Sequence, residues 1–138
     1  MSQIDLSSRA EKAKAFFNNS YNCSQSVAMA FADVIGIEEK DILRLMSGYG
    51  FGIGGERSVC GAVSGGVFVI SSIIKDPTQR DEIYAKVKRM IDEFKAQNKG
   101  KINCLDLVGE NPTDEDFNGS CPVLIEQVVR AVVRTMAD

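Results

Sequence analysis

Apolar positions recur at three- and four-residue spacing along most of the chain. No segment keeps the strict two-residue alternation of a half-buried strand. Ser8 and Glu11, at capping-box spacing, predict the opening of a first helix that runs through Phe16 and Phe17. A second helix is predicted from about Cys23 to Val34, carrying Val27, Ala28, Phe31 and Val34 and stopping at Gly36. A short third spans about Glu38 to Ser47, with Ile42, Leu45 and Met46 inward and Gly48 as its stop. Ser58 is a candidate N-cap for a helix over Val59 to Ile74. Asp76-Pro77-Thr78-Gln79 then supplies a capping residue, a first-turn proline and a glutamine at the capping-box position. Ile83, Val87, Met90 (or Ile91) and Phe94 follow at helical spacing with Lys, Asp and Glu between them, up to Gly100.

Asn103 to Val108 reads as a short helical turn, and Asn111 to Gly119 as a polar loop. Pro122 to Met136 reads as the last helix. Its β-branched content resembles a strand, but the four-residue recurrence of polar positions favours helix, with Glu126, Gln127, Arg130 and Arg134 on one side. The expected fold is all-α: a compact bundle of about five or six helices, one domain over residues 1–138, with a glycine-rich loop before a central helix.

Composition narrows the chemistry. A net charge of −3 with interspersed charges argues against nucleic-acid binding. The uncharged stretch Ser58–Ile74 is short of a membrane span and holds four Ser and three Gly. The N-terminus lacks a basic start followed by an apolar core, so the expectation is a cytoplasmic protein with no membrane association. The chain has no histidine, which removes Ser-His-Asp triads, Cys-His pairs and His-ligated metals. Asp33, Asp106, Asp114, Glu115 and Asp116 lie near predicted loops or helix ends, where solvation accounts for them as well as catalysis does, and no acid–base pair stands out.

That leaves four cysteines, Cys23, Cys60, Cys104 and Cys121. None forms a Cys-x-x-Cys pair, so any joint action must be assembled by the fold. Each follows a capping residue near a predicted helix start: Asn22, Ser58, Asn103 and Ser120. A helix N-terminus carries about half a positive charge and lowers a thiol pKa, and thiolate is the form that attacks disulfides and binds metals. The competing reading is four unrelated buried thiols, since free Cys packs as a small hydrophobe.

Gly50-Phe-Gly-Ile-Gly-Gly55 formally matches G-x-G-x-x-G but follows a helical segment, not the strand of a dinucleotide site. It is either a tight connector or a backbone that approaches a cofactor through Gly52, Gly54 and Gly55, with Arg57 steadying an anion or thiolate. Gly61 and Gly65, like Ala62 and Gly66, lie four apart and predict a flat face for close helix packing.

The order of these residues resembles the C-GCAxxG-C-C family of small redox-active proteins, found largely in anaerobic bacteria and archaea. The matching elements are Cys23 in Asn-Cys-Ser-Gln-Ser, the segment Val59 to Gly65, Cys104 and Cys121. One departure stands out: Cys60-Gly61 transposes the family's Gly-Cys, and on a helix one position turns a side chain by about 100°. The resemblance implies a helical fold and a redox role. Three functions follow. The first is thiol redox chemistry, as carrier or thiol-dependent oxidoreductase, with Cys60 as low-pKa attacker and Cys23 or Cys121 as resolver. The second is a metal site, zinc or an iron–sulfur cluster, on the four cysteines. The third is a non-enzymatic helical binding module. The redox partner is unspecified, and a homodimer is compatible with the sequence.

Overall fold

The structure is a computed structural model that describes residues 5–137. Met1–Ile4, on which the leader-peptide reading rests, lie outside the described residues. Among the described residues there are eight α-helices: α1 (Asp5–Asn18), α2 (Cys23–Met29), α3 (Ala32–Ile35), α4 (Glu39–Leu45), α5 (Gly61–Ile74), α6 (Arg80–Ala96), α7 (Cys104–Val108) and α8 (Asp114–Ala137). A 3₁₀ turn covers Ser47–Tyr49. The all-α expectation holds, with a single antiparallel bridge, Val59 to Asn103, as the extended pairing among those residues.

Helix α5 organises the rest. It packs against α2, α6 and α8, while α1 lies across α2 and α8. Its small face makes this possible. A Cβ on Gly65 would meet the Ser24 carbonyl oxygen at 2.8 Å, and one on Gly66 would meet Met90 Sδ and Val128 Cγ1 at 2.8 Å. Helix backbones therefore approach at a distance that side chains would prevent. Met90 and Phe94 of α6 are fully buried, as their spacing requires, and join Phe31, Ile70, Ile125 and Val128 in one hydrophobic core.

Several boundaries differ from the expected ones. Helix α1 is already formed at Asp5, ahead of Ser8. The predicted second helix breaks at Ala30–Phe31 into α2 and α3, and Gly36 ends α3 in a left-handed conformation (φ 72°). Helix α5 starts at Gly61 with Cys60 as N-cap; Ser58 instead donates its hydroxyl to the Gly52 carbonyl. Asp76 closes an Asx turn, accepting from the Thr78 amide at 2.9 Å, so α6 begins at Arg80. The largest difference is α8, which begins at Asp114 and carries Pro122 in its interior. Thr113 and Asp116 cap it reciprocally: the Asp116 amide donates to Thr113 Oγ1 at 3.1 Å, and the Thr113 amide donates to Asp116 Oδ2 at 2.9 Å. Asp114, Glu115 and Asp116 in the first turn suit the positive helix end.

Candidate functional site

Four chain segments each deliver one cysteine to the wall of a single cavity of about 670 Å³. Cys23 is the first residue of α2. Its position is set by Asn22, which accepts from the Gln25 amide (2.8 Å) while Gln25 Oε1 accepts from the Asn22 amide (3.0 Å). The same two side chains tie α2 to the 40s segment: Asn22 donates to the Ser47 carbonyl and Gln25 to that of Leu43. Gly50 has no side chain to keep Asn22 away, since a Cβ there would sit 2.8 Å from Asn22 Cβ.

Cys60 and Cys104 come from the Val59–Asn103 bridge. The Cys60 amide donates to Ile102 O (2.8 Å) and the Cys104 amide to Ser58 O (2.7 Å). Cys60 therefore lies in the incoming turn as N-cap, and the Cys-Gly transposition straddles the helix start. Cys121 sits in the eighth position of α8. This corrects the expected placement at a helix start, because Pro122 is an interior proline and not a first-turn one.

The glycine loop folds back on itself. Residues 51 to 55 all have positive φ, including Phe51 (53°) and Ile53 (68°). Such values are costly for a bulky or β-branched side chain, about 1–3 kcal/mol each, and persist where the surroundings enforce them. Here the Arg57 and Ser58 amides donate to Phe51 O and Gly52 O. A Cβ on Gly52 would lie 2.6 Å from Arg57 Cα, so this glycine is required for the closure. Of the predicted cofactor contacts, Gly52 lines the cavity; Gly54 and Gly55 do not, and serve as left-handed turn residues.

Arg57 turns onto Cys104. Its Nε donates to Cys104 Sγ (2.8 Å) and its terminal nitrogen to the carbonyls of Cys104 (3.1 Å) and Gly109 (2.7 Å). Its guanidinium lies 5.4 Å from the Phe117 ring centroid, and Phe117 meets Phe51 edge-on at 5.0 Å. These rings, with Phe17 and Tyr21 from the α1 end, line the cavity.

The thiols are not equivalent. Interaction with the neighbouring Cys23 thiol lowers the Cys121 pKa; burial opposes this and the Arg57 charge assists it. The same interaction, followed by burial, raises Cys23 well above the ordinary thiol range. Burial pushes Cys60 up to about 11, against the amides of Ala62 and Val63 that pull it down. The expected low-pKa character of Cys60 is thus reversed: at 4% exposure, desolvation outweighs the helix terminus. All four cysteines are free. Among the described residues, no three Cys, Asp or Glu side chains converge closely enough to hold a metal ion. The four sulfurs share a cavity without forming a preassembled tetrahedral site.

A family model described as "Putative redox-active protein (C_GCAxxG_C_C)" matches residues 21–135, a span that takes in all four cysteines. The chain belongs to this family. An "Uncharacterized protein" of Archaeoglobus fulgidus is similar at 27% identity over 149 aligned residues, covering 94% of this chain and 96% of the relative. No solved structure matches. No helix among the described residues is long and apolar enough to cross a membrane.

The family motif leaves out Arg57 and the aromatic wall. Asn22-Cys-Ser-Gln25 is itself a capping-box spacing, a signal present in the sequence. Of the acidic candidates, Asp114 reaches the cavity wall, Asp116 caps α8, and Asp33 forms a bidentate pair with the buried Arg9.

Proposed function

We propose that this protein is a dithiol–disulfide redox protein in which Cys121 is the attacking thiolate and Cys23 the resolving thiol. The electrostatically coupled Cys23 and Cys121 thiols, brought together on the wall of one cavity, carry this reading. Attack by Cys121 on a disulfide gives a mixed disulfide and a leaving thiolate. That thiolate takes the Cys23 proton, and Cys23 then displaces the second thiolate, leaving a Cys23–Cys121 disulfide. The protein loses two electrons and the substrate gains them. No histidine base is needed, because the thiol that holds the attacker in its ionised form is also the one that resolves. Arg57 braces the site through Cys104 and adds positive charge beside Cys121.

The test is disulfide mapping after mild oxidation with diamide, with free thiols blocked by alkylation. A Cys23–Cys121 bond is the expected product. Four free thiols after oxidation, or pairing confined to Cys60 and Cys104, would sink the reading.

A further inference from the structure

We infer that the cavity selects small, uncharged, ring-bearing disulfides as oxidants of the Cys23–Cys121 pair, in preference to anionic disulfides and to disulfides held in folded proteins. The inference rests on the dithiol reading above.

Access sets the size. Cys23 and Cys121 line the cavity and are only 9% and 6% exposed. A thiolate must meet the disulfide sulfur directly, so the substrate must enter. A volume of about 670 Å³ lies in the roughly 300–1,000 Å³ range of small-molecule sites.

The wall sets the chemistry. Phe17, Tyr21, Phe51 and Phe117 line the cavity, and the edge-on pairing of Phe51 with Phe117 sets rings at the wall for a substrate ring to join. Among the lining residues the one charged side chain is Asp114. The Arg57 cation does not line the cavity; its donors go to Cys104 and Gly109. An anionic disulfide would lose hydration and meet a carboxylate on the wall, and the nearby Arg57 charge is already engaged by Cys104 and Gly109.

The experiment uses the reduced full chain and three oxidants: 4,4′-dithiodipyridine, glutathione disulfide and insulin. Formation of the Cys23–Cys121 disulfide is followed by peptide mapping, and each rate is divided by that of the same oxidant with N-acetylcysteine amide. The normalised rate for 4,4′-dithiodipyridine is expected to exceed the other two by about fivefold to tenfold, the scale of one ring contact. Phe51→Ala, an exposed site, is expected to reduce that preference, and the remote Tyr84→Ala on α6 is expected to keep it. Equal normalised rates, or a preference for glutathione disulfide or insulin, with the Cys23–Cys121 bond still formed, would overturn the substrate class and leave the dithiol reading standing. Failure of all three oxidants to form that bond would overturn both.

Discussion

Gly65→Ala tests the packing that seats Cys23. The added Cβ would lie 2.8 Å from the Ser24 carbonyl oxygen, 3.2 Å from Ser24 Cα and 3.0 Å from Val27 Cβ. Two of these atoms are backbone, so relief requires α2 to retreat by several tenths of an ångström. Overpacking of this kind costs about 1–3 kcal/mol, with backbone clashes toward the upper end. Alanine returns about 1 kcal/mol of helix propensity. The net expectation is a loss of about 1–2 kcal/mol, or a Tm lower by roughly 3–8 °C at this chain length. Gly119→Ala is the matched control. It lies in α8 with nothing within 4 Å of a new Cβ, so it is expected to gain about 0.5–1 kcal/mol. Urea unfolding of the reduced proteins measures both. Because Ser24 adjoins Cys23, Gly65→Ala should also slow formation of the Cys23–Cys121 disulfide. A Gly65→Ala protein as stable as the parent would refute the close-approach reasoning, and stabilisation by both substitutions would do so more decisively.

Four further outcomes follow from the site and its surroundings. The pH profile of iodoacetamide alkylation should show one thiol ionising below the ordinary range; Cys121→Ser should abolish it and Cys23→Ala should shift it upward by removing the donor. Arg57→Gln removes the assisting charge and the contact to Cys104, so the same profile should move to higher pH; an unmoved profile would remove Arg57 from the activation scheme. Glu126 is held low by Lys14 and then by Arg130. Its contribution is complete above the ordinary glutamate pKa of about 4.3 and is lost as pH falls through the lowered value, so Glu126→Gln should flatten the acid limb of stability measured by urea midpoints. Metal analysis of anaerobically produced protein should find less than one zinc or iron per chain, because no three ligands converge among the described residues; stoichiometric metal would reinstate the cysteine-ligated centre.

The parts of the fold that were legible in the sequence are those where local pattern and tertiary packing agree. Helix α6 has a clean apolar stripe ending in Met90 and Phe94, and both are buried. The Gly61–Gly65 spacing announced the close packing against α2. The start of α8 was hidden because Asn118, Gly119 and Pro122 each argue locally for a loop or a helix start. The reciprocal Thr113–Asp116 cap and core contacts from Leu124 onward override them. The shared cavity follows from pairings such as Val59–Asn103, which no local rule reads. The ranking of the thiols was illegible for a related reason. Helix position argues that Cys60 is acidic, but its burial, and the juxtaposition of Cys23 with Cys121, are properties of the assembled molecule.

Cys23 and Cys121 stand 98 positions apart. A bond between them would tie the first turn of α2 to α8 and enclose most of the polypeptide in one covalent ring. On a chain-entropy account, closing a ring of this size restricts the unfolded ensemble by about 4–5 kcal/mol. Redox state would then be recorded as durability: the oxidised molecule resists unfolding and proteolysis, and reduction makes it perishable. The lifetime of the protein would become a readout of the electrons it holds.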